Sequence, residues 1–128
     1  MKPEAGESLE YARIHLVQAT KTLQARLPGI AAREAYLAAL AAARALVFEF
    51  RDKGPKTHSG VKSLMHELVR DGIEIDRNLL TIFDDGFELK VEADYGDPAN
   101  ITDEDAYRTI QMAHDLIGQV DTILKERP

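Results

Sequence analysis

The sequence contains no cysteine. This absence excludes a disulfide framework, a thiolate nucleophile and any cysteine-ligated metal site. The sequence also has no apolar window long enough to span a bilayer, and its first residues, MKPEAGESLEY, include no apolar signal core. Together these absences predict a cytoplasmic protein with no membrane association.

Positive charge is also scarce. The chain carries 16 lysines and arginines against 22 aspartates and glutamates, which gives a formal net charge of −6. An acidic balance argues against broad nonspecific binding of nucleic acid, although a local basic patch is compatible with it. The net charge therefore gives no support to RNA as a partner.

A third absence concerns secondary structure, because no segment alternates apolar and polar residues as a half-buried strand does. Apolar residues instead recur at the three-and-four spacing of helices. The chain has 128 residues, of which 45% are hydrophobic, and this is enough for one domain with one core. We predict an all-α fold with a single domain over residues 1–128. Its architecture is an up-and-down four-helix bundle with one additional short helix.

The helix predicted over residues 31–50 is the centre of this bundle. It is apolar most of the way round, so other helices must cover most of its sides. A stripe of alanines on it would let a neighbouring backbone approach closely. Gly54-Pro55 ends the segment, since proline disfavours a helical residue before it. The other apolar stripe comprises Tyr36, Leu40, Ala43, Val47 and Phe50.

The remaining helices are predicted from apolar edges that lie between capping residues and helix breakers. Helix one should start near Ser8 and end at Pro28-Gly29, and a short third helix should span residues 61–71. Helix four is predicted over residues 76–95, and Thr102 should cap helix five. The side chains that we expect to be largely buried are Leu40, Val47, Phe83, Phe87 and Val91.

The sequence shows no pattern typical of metal or cofactor binding. His66-Glu67 lacks the second histidine of the His-Glu-x-x-His zinc motif. The chain also has neither a glycine-rich phosphate loop nor a nucleophile elbow. We therefore expect no metal and no cofactor.

Several short motifs follow one another in an order that resembles the HEPN domain family. More narrowly, the chain is similar to the small stand-alone prokaryotic members of that family. The resemblance covers roughly residues 10–124, and it depends on the order and spacing of the motifs together. The motifs are Arg-x-Ala-Tyr from Arg33, Ala-Arg-Ala-Leu from Ala43, Lys-Thr-His-Ser-Gly-Val from Lys56, Ala-Asp-Tyr-Gly from Ala93 and the acidic helix start after Thr102.

The resemblance implies a homodimer that pairs with a minimal nucleotidyltransferase in a toxin–antitoxin system. Active family members are metal-independent ribonucleases that use an arginine and a histidine with four to six residues between them. The histidine moves a proton from the ribose 2′-hydroxyl, and the arginine stabilises the phosphate in the transition state.

Two pairs in this chain have the ribonuclease spacing: Arg51 with His58, and Arg108 with His114. In active members of the family the motif usually lies late in the bundle, which favours Arg108 and His114. The narrower subgroup points to His58 instead. Arg108 and His114 lie in one predicted helix and point about 240° apart, so they would have to meet across a dimer.

The turn after the central helix and the end of helix four supply a second set of candidates, for ligand binding. Simple topology divides this set. Asp94 should lie beside Arg33 as a buried structural ion pair. His58 should lie about 30 Å away at the other end of the central helix, unless the turn folds back or a second subunit supplies it. Tyr36 and Tyr95 are expected in the core with satisfied hydroxyls. The ligand-binding candidates are Lys56, His58, Ser59, Asp94 and Tyr95.

Three functions remain open. The first is an interaction module that partners a nucleotidyltransferase and has little or no activity of its own. The second is a metal-independent ribonuclease toxin, and the third is a helical bundle that binds a nucleotide or small anion near His58. Departures from the subgroup pattern favour binding over catalysis, because Lys90 replaces a common arginine and Leu37 a common aromatic residue.

Overall fold

A computed structural model describes residues 1–127. Within them the chain forms five α-helices, one 3₁₀ turn and no strand, which confirms the predicted all-α fold. The helices are α1 (Pro3–Gln24), α2 (Pro28–Arg51), α3 (His58–Arg70), α4 (Arg77–Tyr95) and α5 (Asp103–Lys125), with the 3₁₀ turn at Pro98–Asn100.

Contacts between α1 and α2 show that the two helices run antiparallel. The Lys2 amide donates to Glu49, and the Ser8 hydroxyl donates to the carbonyl of Ala41, so residue numbers rise along one helix as they fall along the other. The short connection between the helices makes them a hairpin, as the sequence predicts.

The later helices continue to alternate in direction. Arg33, near the start of α2, contacts Asp94 at the end of α4, whereas Tyr36 stacks on Phe83 earlier in α4. α4 is therefore antiparallel to α2, and α5 returns against both of them. The four long helices form the predicted up-and-down bundle, and α3 is the additional short helix.

Two helix boundaries near the N-terminus differ from the prediction. α1 begins at Pro3 rather than near Ser8, because proline is well placed in a first helical turn. Ser8 is buried and bonds the Ala41 carbonyl at 2.7 Å instead of capping a helix. Pro28 opens α2 in the same way and does not end α1, which stops at Gln24.

The core is centred on α2 and on the face of α4 that packs against it. Of the side chains predicted to be buried, Val47 and Phe83 are buried, and Leu40 and Phe87 are partly buried. The prediction for Val91 is wrong, since it is 38% exposed. Eight residues after Phe83, Val91 has rotated about 80° around α4 and has left the core face.

Gly86 explains how α4 can pack so closely in the middle of the bundle. The helix runs through it without a break. A Cβ atom there would lie 3.4 Å from the ring of Tyr36 and 3.4 Å from the methyl group of Thr109. A Cβ atom would therefore make ordinary van der Waals contact, and only a side chain larger than that of alanine would push α4 away from α2 and α5.

Glu49 is charged but only 4% exposed. Its carboxylate accepts hydrogen bonds from the Lys2 amide at 2.7 Å and from Arg127 Nε at 3.1 Å. Burial alone would raise the pKa of Glu49, but these two donors outweigh it and hold the pKa below its ordinary value. Both ends of the described chain are thereby fixed to the last turn of α2.

We predict that Phe83→Ala lowers the free energy of unfolding by about 3–5 kcal/mol, because it removes a large buried ring. Val91→Ala, on the same helix, is the matched control and should change the value by no more than about 0.5 kcal/mol. Urea denaturation followed by circular dichroism measures both variants. Equal losses in the two variants would contradict this description of the core.

Candidate functional site

A chain of four polar side chains connects α2, α3 and α4. The Tyr36 hydroxyl and His58 Nδ1 are hydrogen bonded at 2.6 Å, and His58 Nε2 lies 2.8 Å from Asp84 Oδ1. The second oxygen of Asp84 lies 2.8 Å from Lys62 Nζ. We call these residues the Tyr36–Lys62 network. It runs from the core, where Tyr36 is 2% exposed, to the surface between α3 and α4.

The surroundings of Tyr36 and Asp84 shift the pKa values of both groups. Burial raises the pKa of Tyr36 above its ordinary value, and the nearby Asp84 carboxylate raises it further. Burial alone would also raise the pKa of Asp84, but hydrogen bonds from Lys62 and His58 outweigh it and lower the pKa. An ionised carboxylate only accepts, so Nε2 of His58 carries a proton and donates a hydrogen bond to Asp84.

Aromatic rings enclose His58. Its ring centroid lies 4.5 Å from that of Phe83 and 4.3 Å from that of Phe87, and both pairs are stacked. The His58 side chain is only 11% exposed. His58 therefore anchors the first turn of α3 to α2 and α4.

The network forms because the loop after α2 folds back along that helix. Arg44 donates from Nε to the carbonyl of Pro55 at 3.1 Å and from Nη2 to the carbonyl of Gly54 at 3.2 Å. A Cβ atom on Gly54 would lie 2.0 Å from the ring of Phe48, so glycine alone permits this close approach. The side chain of Thr57 then caps α3.

The predicted separation of about 30 Å between His58 and Arg33 is therefore wrong. His58 bonds Tyr36, which is less than one helical turn from Arg33 on α2. The prediction assumed that the loop continues away from the end of α2. His58 and Asp94 still do not share a contact, because His58 pairs with Asp84, which is about 15 Å earlier along α4.

Arg33 and Asp94 form an ion pair, with Arg33 Nε 2.8 Å from Asp94 Oδ1 and Lys90 Nζ 3.1 Å from Oδ2. Burial raises the pKa of Asp94, but Lys90 and Arg33 outweigh it and lower the pKa. The Arg33 side chain is 40% exposed and that of Asp94 22%, so the prediction of a buried pair is wrong. The large penalty for breaking a buried pair does not apply here.

The three remaining ligand-binding candidates do not meet in one site. Tyr95 is 81% exposed at the last residue of α4, where Lys90 Nζ lies 5.7 Å from its ring centroid, so its predicted core position is wrong. Lys56 and Ser59 are exposed, and their side chains make no hydrogen bond or ion pair within residues 1–127.

The first ribonuclease-spaced pair is held apart by other contacts. Arg51 Nε bonds Glu67 at 2.7 Å, and its Nη2 bonds Asp71 at 2.5 Å, which ties the end of α2 to α3. His58 belongs to the Tyr36–Lys62 network. Arg51 and His58 therefore both serve to attach α3, at two different points.

The second pair lies on α5 in acidic surroundings. Arg108 lines a crevice of about 280 Å³ between α4 and α5, together with the carboxylates of Asp85, Glu88 and Asp105. His114 is 70% exposed and lines a different crevice. The two side chains do not meet within one chain. The carboxylates around His114 belong to Glu74, Asp115 and Glu126.

The motifs did not reveal a crevice of about 440 Å³ between α3 and α4, beside the network. Lys62, His66 and Arg70 line it from α3, and Arg77 and Asp84 line it from α4. The sequence did hold a signal, since the three α3 residues are spaced four apart and so share one helix face. We call this site the α3–α4 basic crevice.

Within residues 1–127 no group of three or more His, Asp or Glu side chains is arranged to hold a metal ion. In the same part of the chain, every helix is too short or too polar to cross a bilayer.

Comparison with known proteins adds one match. The sequence model of the HEPN domain matches residues 5–123. No curated protein matches the chain.

The lowered pKa of Asp84 predicts a pH dependence of stability. Its folded-state pKa lies below the unfolded value of about 3.9, so its contribution is complete above that value and is lost as the pH falls through the folded-state pKa. We expect the free energy of unfolding to fall as the pH decreases below about 4, and to fall less steeply in Asp84→Asn.

Urea titrations at a series of pH values measure this dependence. Asp85→Asn changes the same group at the next, exposed position and should keep the wild-type slope. An Asp84→Asn slope equal to that of the wild type would show that the network does not stabilise the fold.

Proposed function

The chain belongs to the HEPN domain family, and from this premise we propose that it acts as an interaction module. In this proposal it is a cytoplasmic homodimer that partners a minimal nucleotidyltransferase in a two-gene toxin–antitoxin-type system, with little or no activity of its own. The observation that carries the proposal is the structural role of His58, which is 11% exposed and enclosed by aromatic rings.

The ribonuclease alternative ranks second for a physical reason. Arg51 is bound to Glu67 and Asp71, and His58 is bound within the network. Arg108 and His114 are accessible, but carboxylates surround each of them and would repel the phosphates of an RNA strand. A ribonuclease built on that pair needs a second subunit to bring the two side chains together.

One side of α2 supports an interaction role. Other helices cover most of its circumference and leave one strip of the helix open. Ile30, Leu37 and Leu40 lie there at helical spacing and are at least partly exposed. Tyr11 of α1 is 57% exposed and lines a crevice with Leu37 and Leu40. Clustered exposed apolar side chains favour protein contacts. We call these four residues the α1–α2 apolar face.

The test is co-expression with the protein encoded by the adjacent gene. We expect that protein to be a nucleotidyltransferase and to copurify with this chain, with two copies of the chain in the complex by light scattering. Tyr11→Glu places a charge in the α1–α2 apolar face and should reduce the number of copies to one or abolish the complex, because burying an unpaired carboxylate is costly.

Val17→Glu is the matched control. Val17 is 51% exposed on the same helix and points about 120° away from Tyr11, so the complex should survive. An adjacent gene that encodes no nucleotidyltransferase, or a chain that remains a monomer beside a folded nucleotidyltransferase, would contradict the proposal.

A further inference from the structure

The side of α1 that faces away from the core carries one stripe of exposed side chains. Its residues recur at alternating spacings of three and four, which keeps them on one face of the helix. At its centre Tyr11 is 57% exposed and Ile14 is 48% exposed. The stripe, which we call the α1 outer stripe, comprises Glu4, Glu7, Tyr11, Ile14, Gln18 and Lys21.

Opposite charges occupy the two ends of the α1 outer stripe. Glu4 and Glu7 lie near the start of α1, and Lys21 lies in its last turn. Within residues 1–127 the side chains of these three residues make no hydrogen bond or ion pair. Their placement suits the dipole of α1. The dipole does not account for the exposed apolar side chains between the two charged ends, which favour a protein contact there.

A second copy of α1 matches this pattern when the two helices run antiparallel. A two-fold axis midway between Tyr11 and Ile14 places Tyr11 of each copy against Ile14 of the other. The same register places Glu4 against Lys21, because each lies seven residues beyond its member of the central pair. The symmetry makes each of these contacts twice, so the apolar residues meet at the centre and opposite charges meet at both ends.

The spacing of the stripe permits this packing over its whole length. Two helices pack side by side, at an angle of about 20°, when their contact residues recur on average every 3.5 residues. The α1 outer stripe keeps that repeat from Glu4 to Lys21, which is about 25 Å along the helix axis. A parallel pair of α1 helices would instead bring Glu4 and Glu7 against the same residues of the other copy, and like charges would repel.

We propose that two copies of the chain pair through the α1 outer stripe, antiparallel across a two-fold axis, with Glu4 of each copy bound to Lys21 of the other. This inference rests on the homodimer of the proposed function and specifies its interface. Tyr11 belongs to both the stripe and the α1–α2 apolar face, so the second α1 also lies beside Leu37 and Leu40. A different protein is the less favoured occupant, because a stripe with opposite charges at its two ends is complementary to itself.

Sedimentation equilibrium on the full chain at low salt, from about 1 to 100 μM, tests the pairing. Glu4→Lys and Lys21→Glu each place like charges at both ends of the interface, and each should weaken dimerisation by about tenfold or more. An equal mixture of the two variants should dimerise with the wild-type dissociation constant to within about threefold, because every facing pair then joins a lysine to a glutamate. The double variant Glu4→Lys/Lys21→Glu should do the same on its own.

Glu88→Lys is the matched control. It makes the same change in net charge as Glu4→Lys at an exposed side chain of α4, and it should keep the wild-type dissociation constant. Circular dichroism melting checks that every variant folds. A dimer that neither α1 variant weakens, or that their mixture does not restore, would overturn the α1 pairing and leave the proposed homodimer to another face. A wild-type chain that stays monomeric at about 100 μM would overturn both.

Discussion

The hydrogen bond between Tyr36 and His58 fixes the start of α3, and the α3–α4 basic crevice depends on that position. The bond joins the first half of α2 to the first residue of α3. It forms because Arg44 holds the intervening loop against α2 through two backbone carbonyls. With α3 returned in this way, Lys62 reaches Asp84 on α4 and the α3–α4 basic crevice forms between the two helices.

Four of the five motifs that resemble the HEPN domain family supply contacts that attach α3 and α4 to α2. Arg-x-Ala-Tyr supplies Arg33 for the ion pair with Asp94 and Tyr36 for the bond to His58. Ala-Arg-Ala-Leu supplies Arg44, which holds the loop. Their order along the chain therefore reflects the contacts that attach α3 and α4 to α2. The same contacts explain why the chain has the family motifs although its His58 side chain is nearly buried. Both ring nitrogens of His58 are bound to other side chains.

Much of the fold could be predicted, because helix spacing, caps and breakers are local properties of the sequence. The bundle, the cap at Thr102 and the central position of α2 follow from them. The return of the loop could not be predicted, since it depends on tertiary contacts: the bonds of Arg44 to the loop backbone, the fit of Gly54 against Phe48, and the bond from His58 to Tyr36, 22 residues earlier. Asp84 escaped notice for the same reason. The α3 wall of the α3–α4 basic crevice could be predicted from the spacing of its cations. The α4 wall could not, because it depends on how α3 packs against α4.

Hydrogen exchange in His58→Ala tests most directly whether the Tyr36–His58 contact positions α3. The substitution removes both hydrogen bonds of His58 and its stacking on Phe83 and Phe87. The account predicts that amides of α3 lose protection by about tenfold or more, while those of α1 and α5 keep theirs. Unchanged protection in α3 would contradict it, because α3 would then be held by other contacts.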